Sequence, residues 1–295
     1  MAVKTGFIGV GAMGSPMARN LLAAGIPLVV YDIDEAKCRR LEKQGAQVAS
    51  SPAAVARDAT RILCMVDTTA QVRAVMTGPS GVMETALAGH YIACMSTIAP
   101  REIQDLHDEL ARSGVIFFDA PVSGGIERAI AGTLAMFTGG DASAQAVFRD
   151  AFDCMCDHVF KPGKVGQGMA LKLVNNMLVQ INSVAVAEAM SLGTRAGLDP
   201  QMIYDAVKVS TGYSVAFEMR APRMVARNFV PGGPLEISYK DQELETAFAK
   251  QLGVPLLLAA VTQQVYQIAR NMGLSKEDAA ALIKVYEHLG GSAPA

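Results

Sequence analysis

A doubly wound α/β sheet followed by an all-α C-terminal domain is the fold class that this 295-residue sequence predicts. Three observations predict it. From residue 3 to about residue 160, short β-branched runs alternate with helix-period stretches, the pattern of a parallel sheet covered by helices. After Pro162 the strands stop and only helical periods remain. Between the first strand and the first helix stands Gly9-Val10-Gly11-Ala12-Met13-Gly14, a glycine loop in the context of a β-α-β unit. The change of period puts the boundary near residue 163. An N-terminal domain is expected over 1–163, and over 164–295 a helical domain that opens with a long interdomain helix.

In chain order, strands are expected over 6–10, 28–32, 61–65, 91–95 and 116–120, each an apolar run of the kind buried on both faces of a parallel sheet. Amphipathic stretches over 15–24, 34–44, 69–76 and 100–113 supply the crossover helices. Strands over 134–138 and 158–160, with a helix over 142–154 between them, extend the sheet. Beyond 163, helices are expected over 168–195, 199–210, 214–227, 238–252, 255–273 and 275–289. Their punctuation is Gly197, Pro200, Gly212, Pro231, Pro234, Gly253 and Gly273. The tail from Gly290 carries no period and is expected to fray.

Composition narrows the partners. Hydrophobic residues make up 51% and charged residues 18%, which argues against disorder, and a formal net charge of -2 gives no electrostatic reason to expect nucleic acid or an anionic membrane. A small molecule is the expected partner. The stretch 171–192 contains Lys172, Asn175, Asn176, Gln180, Asn182 and Glu188, too polar for the roughly 20 residues a bilayer requires. Met1 leads directly into a strand-like run, with no basic segment before a long apolar core as a leader would have. Five cysteines without a C-x-x-C pair point to reduced thiols and a cytoplasmic protein. The four histidines are scattered, with no i, i+4 pair, so no metal site is expected and each is read as structural or surface.

The glycine loop is a dinucleotide fingerprint. Gly9 permits the tight turn, Gly11 lets backbone approach a pyrophosphate, and Gly14 lets the helix pack on the strand. With Ala12 and Met13 between them, they present the helix N-H groups to the phosphates. Asp32 ends the second strand, where a carboxylate accepts from the ribose hydroxyls and repels a 2'-phosphate. NAD is therefore expected, with NADP the less favoured cofactor; Lys37, Arg39 and Arg40 follow closely and are read as an exposed helix face. This is the Rossmann-like arrangement.

Two further segments carry chemistry. Ser123-Gly124-Gly125 follows the fifth strand at its carboxyl end, where a hydroxyl and open backbone N-H groups suit a carboxylate, although a Gly-Gly turn is the plainer reading. Lys172 and Asn176 stand one helical turn apart and share a face. A lysine beside an amide can move a proton to or from a substrate oxygen while the amide fixes that oxygen. An unperturbed lysine titrates near 10.4, so work as a base near neutrality requires burial.

With GFIGVGAMGSPMARNL, DAPVSGG, GKVGQGMALKLVNN and KDQELETAFA in this order, the whole chain resembles the β-hydroxyacid dehydrogenases. The resemblance implies an NAD-dependent oxidoreductase that interconverts a small 3-hydroxy acid and its semialdehyde. It implies Lys172 as the acid/base, Asn176 on the reacting oxygen, and Ser123, Gly124 and Gly125 on the substrate carboxylate. It also implies Lys240 closing the site near the nicotinamide, Ser96 as a cofactor contact, and a homodimer or homotetramer formed through the helical domain. The 3-hydroxyisobutyrate dehydrogenase and 2-hydroxy-3-oxopropionate reductase types come first; the alternatives are another acid of the family such as 2-(hydroxymethyl)glutarate or threonate, an imine reductase, and a non-catalytic NAD-binding regulator. Some positions depart from the pattern. Val66-Asp67-Thr68 stands where relatives read L-P-N, and Tyr213 and Val215 stand where some carry Arg then Trp. Arg220, one or two turns on, is a candidate substitute for that anionic contact, and Tyr213, Val215, Phe217 and Phe229 are candidates for the pocket wall.

Overall fold

The computed structural model describes residues 3–291; residues 1–2 and 292–295, with most of the tail expected to fray, lie outside the described residues. The chain divides into two compact units, Met1–Lys172 and Leu173–Ala295. The division falls inside the helix Gln167–Arg195, rather than at the change of period near 163. The first turn of that helix puts Met169 into a core of the sheet unit, whereas Val184, Ala187 and Met190 belong to the core of the helical unit.

In the first unit the strands are β1 Thr5–Ile8, β2 Leu28–Tyr31, β3 Gln47–Val48, β4 Arg61–Cys64, β5 Tyr91–Cys94, β6 Ile116–Asp119, β7 Val122–Ser123, β8 Leu134–Gly139 and β9 Cys156–Gly163. Their order is β3-β2-β1-β4-β5-β6-β8-β7, with β9 on β8. Pairing is parallel from β3 through β6, and β8 runs antiparallel to β6 and β7. Both faces are covered. Phe7, Val30, Leu63, Ala93 and Phe118 enter one core, and their neighbours Ile8, Val29, Ile62, Ile92 and Phe117 enter the other. That alternation across a sheet buried on both sides is why the strands read as unbroken apolar runs.

Helix starts follow their capping chemistry. Asp34 accepts from Ala36 N, and Thr68 forms a capping box with Gln71. Ser51 followed by Pro52 starts an unexpected helix, Pro52–Asp58. The expected helix over 142–154 is instead two short ones, Ala142–Ala146 and Arg149–Asp153, with Phe148 between them packed against Phe118 and Phe152. Burying that ring takes precedence over a continuous helical register.

In the second unit, Pro200–Lys208, Val215–Val225, Leu235–Leu252 and Leu257–Asn271 are helical, begun by Asp199 and Ser214 caps and, at Gly253, ended by a left-handed residue. Phe217, Ala221, Met224, Leu235, Tyr266 and Leu282 fill the core. The helix expected over 275–289 is a 3-10 turn, Ala279–Leu282, followed by Ile283–Leu289. Asp278 stops it from starting earlier. Its side chain, fully buried, accepts from Ala280 N and pairs with Arg220 at 2.8 Å.

Candidate active site

The order β3-β2-β1-β4-β5-β6 reverses direction between β1 and β4, and ligands of open α/β sheets bind outside the strand ends at such a switch point. A pocket opens there, lined by Ile8, Gly9, Gly11, Asp32, Ile33, Lys37, Met65, Val66 and Asp67. Gly9 has φ +90°, and a Cβ there would overlap the Met65 carbonyl oxygen. A Cβ on Gly14 would overlap the carbonyl oxygen of Gly9, so this glycine lets the helix Gly14–Ala23 sit against the loop. At Gly11 a Cβ would meet nothing within 4 Å. That open face beside the strand ends fits the close approach of a pyrophosphate. Ala12 is exposed, and Met13 packs its side chain against the core, leaving its backbone to the loop.

Asp32 holds the loop as well as the pocket wall. One carboxylate oxygen accepts from Val10 N and the other from Asp34 N, both at 2.9 Å. Since a carboxylate has about four acceptor sites, capacity for ribose hydroxyls is left. Lys37 has a side chain 41% exposed on its helix, yet it also reaches the pocket. Its Nζ is 3.6 Å from Asp32 Oδ1 and it lines the same pocket, while Arg39 pairs with Glu35 and Glu42 outside.

Around the DAPVSGG segment, Ser123 ends β7, and Gly124 and Gly125 both have positive φ, conformations closed to most side chains. Just before them Asp119 receives Gly166 N at 2.8 Å and Met169 N at 2.7 Å, at the start of the long helix. Burial raises the Asp119 carboxyl above its ordinary range, and those two N-H groups pull it back down. The surroundings are tight. A Cβ on Gly139 would come within 2.5 Å of Asp119 Oδ1, and one on Gly168 would overlap the Phe137 carbonyl oxygen.

One turn beyond Met169, Lys172 is only 9% exposed. Asn176, a further turn along, donates its amide N-H to Asp241 Oδ2 at 2.7 Å and accepts from Asn175 at 3.2 Å. Asp241 Oδ1 lies 3.0 Å from Lys240 Nζ. Two of the expected site residues, Asn176 and Lys240, are thus joined through a carboxylate that the sequence reading gave no role. Its signal was available: Asp241 follows Lys240 in the KDQELETAFA motif. Of the histidines, His90 is buried with Nε2 2.9 Å from the Ala56 carbonyl oxygen. Among the described residues no three His, Cys, Asp or Glu side chains gather to hold a metal.

Residues 4–166 match the family described as the NAD binding domain of 6-phosphogluconate dehydrogenase, and residues 166–286 match the NAD-binding family of NADP-dependent 3-hydroxyisobutyrate dehydrogenase. Rat mitochondrial 3-hydroxyisobutyrate dehydrogenase is 37% identical over 290 residues, covering 94% of this chain and 86% of the relative. The chain belongs to the β-hydroxyacid dehydrogenase family. A second family member, 2-(hydroxymethyl)glutarate dehydrogenase of Eubacterium barkeri, is 34% identical over 98% of this chain and 97% of its own. A solved 3-hydroxyisobutyrate dehydrogenase from Salmonella typhimurium superposes with a TM-score of 0.89 at 31% identity, covering 96% of this chain and 99% of that one. This β-hydroxyacid dehydrogenase is accordingly an NAD(P)-dependent enzyme of the hydroxyacid class.

Several positions in the dehydrogenase have commitments of their own. Ser96 is fully buried and its hydroxyl accepts from Val66 N at 2.8 Å, so it supports a pocket-lining residue from behind. Thr68 caps the helix Thr69–Thr77. Arg220, the candidate for a second anionic contact, is buried in its pair with Asp278. Phe217 stacks on Tyr204 in the helical core, and Tyr213 donates to Glu218. Among the described residues no helix is long and apolar enough to cross a membrane.

Proposed function

We propose that the enzyme interconverts a small 3-hydroxy acid and its semialdehyde with NAD, using Lys172 to move the proton. 3-Hydroxyisobutyrate is the first substrate to test, followed by 2-(hydroxymethyl)glutarate, L-threonate and, in the reductive direction, 2-hydroxy-3-oxopropionate. The observation that carries the reading is the burial of Lys172, one turn ahead of an amide whose own partners are fixed. Lysines are mostly exposed, so a buried one beside that amide is well placed for proton transfer.

The nicotinamide, when bound, supplies the hydride in reduction and takes it in oxidation. Lys172 gives its proton to the carbonyl oxygen in the first direction and removes the hydroxyl proton in the second. Asn176 donates an N-H to that same oxygen. Ser123, Gly124 and Gly125 hold the carboxylate, and Lys240 adds positive charge for the anionic ligands. Gly9, Gly11, Ala12, Met13 and Gly14 take the pyrophosphate, Asp32 the ribose, and Ser96 keeps the loop in shape.

Spectrophotometric assay of these acids with NAD is expected to give turnover with at least one. Faster turnover of cyclic imines would assign the chain to imine reduction instead, and NADH binding without any turnover would make it a regulator. NADH is expected to give a kcat/KM about tenfold above NADPH, worth about 1.4 kcal/mol. The margin is modest because Lys37 offsets part of the Asp32 charge. A preference for NADPH overturns the role of Asp32.

The helical unit is also read as the subunit interface of a homodimer or homotetramer. Leu192, Leu198, Met202, Leu257, Leu258 and Val261 are exposed there, apolar side chains that a second copy could cover. Five free thiols suit a reducing, cytoplasmic compartment.

A further inference from the structure

We propose that Asp241 is a positioning residue: it fixes which end of the Asn176 amide meets the substrate oxygen and couples that amide to Lys240. The proposal rests on the role given above to Asn176. A primary amide has nearly the same shape after a half-turn about its last bond, yet one orientation presents an N-H and the other a carbonyl oxygen. Only the first can hold a substrate carbonyl, hydroxyl or developing alkoxide by donation.

Asp241 selects between the two. An ionised carboxylate accepts and cannot donate, so the amide end facing Oδ2 at 2.7 Å must be the nitrogen. Asn175 reinforces the choice by donating to the Asn176 oxygen at 3.2 Å. The nitrogen then has one N-H on Asp241, and among the described residues no other acceptor takes its second, which is left to the substrate oxygen. Turning the amide over would set oxygen against carboxylate and nitrogen against nitrogen, losing both bonds at once. Asp241 is 5% exposed, so water does not readily stand in for it.

The other carboxylate oxygen explains why the charge is tolerated there. Lys240 Nζ lies 3.0 Å from Oδ1 and compensates the buried anion. Asp241 therefore sets two side chains of the proposed site from one anchor, with the amide on the helix Gln167–Arg195 and the lysine on the helix Leu235–Leu252.

The test is a double-mutant cycle of Asp241→Asn and Asn176→Ala. It is read by kcat and KM for 3-hydroxyisobutyrate with NAD, or for whichever acid of the panel turns over fastest, together with NADH affinity by fluorescence and a thermal melt. Asp241→Asn can present either amide end and is expected to lower kcat roughly ten- to a hundredfold, below the 10²–10³ of losing an oxyanion donor outright. NADH affinity is expected to stay within about twofold, and in the Asn176→Ala background the same substitution is expected to change kcat less than about threefold. Losses that multiply across the cycle would reveal a merely structural aspartate and overturn the proposal. So would a near-normal kcat in Asp241→Asn when Asn176→Ala is impaired. If Asn176→Ala itself turns over like the parent, the reading of Asn176 fails first and takes this one with it. Should the melt show Asp241→Asn unfolded, Asp241→Ser replaces it in the same cycle, judged by the same ratio.

Discussion

Replacing Lys172 by alanine is expected to lower turnover about 10²–10⁴-fold, the range general acid/base help supplies, while leaving the affinity for NADH unchanged. In free energy this is about 3–5 kcal/mol of transition-state stabilisation. The two observables separate because the nucleotide residues stand elsewhere: Gly9, Gly11 and Asp32 line the pocket at the ends of β1 and β2, and Lys172 is not among its lining residues. Lys172→Arg is expected to be nearly as poor. Arginine keeps the charge and much of the length, but it does not release its proton in the working range, so it cannot alternate between acid and base. Stopped-flow or steady-state assay beside an NADH fluorescence titration checks both variants. Retention of more than about a tenth of the parental rate in Lys172→Ala ends the assignment.

Arg220→Met is expected to cost stability rather than chemistry. Breaking a buried ion pair by removing one partner typically costs about 3–5 kcal/mol, because the other charge is left out of water. The lower end applies here. Asp278 keeps N-H donors from Gly232, Gly233 and Ala280, and the Arg223 guanidinium stands 3.9 Å away. About 3 kcal/mol corresponds to a fall in melting temperature of roughly 6–12 °C for a chain of this size class. Thermal or urea unfolding measures it, and a melt within about 2 °C of the parent removes the pair from the stability account. The KM for the acid substrate is expected to stay unchanged at temperatures where the variant is folded. A raised KM would restore Arg220 as a substrate contact.

What the chain reveals before folding depends on range. The five long parallel strands are legible because burial on both faces makes them continuous apolar runs, and helix starts at Asp34, Asp199 and Ser214 are legible because capping is local. β3 and β7 are two residues each, too short to express a period. The break at Phe148 is decided by a ring contact with Phe118, thirty positions away in sequence, and no local propensity announces it. The same division runs through the site. Lys172 and Asn176 can be paired from their spacing on one helix. The Asp241 contact to Asn176 spans 65 residues, and the Asp119 contact to Met169 spans 50, so neither shows until the fold is formed. The reach of Lys37 is likewise hidden, because helical period gives a side chain's face but not its reach, and its ammonium turns back toward Asp32.

Where Gly168 passes Phe137 and Asp119, the chain leaves no volume for even a methyl group. Mechanically the start of the long helix is a keyed joint, with Asp119 as the pin and Gly139 and Gly168 as the slot. The first turn cannot slide along its axis or roll about it without prising up the end of β8, and Lys172, one turn later, is held by the same key. Its exposed positions are free of that constraint, whereas Gly139, Gly168 and Asp119 can change only together.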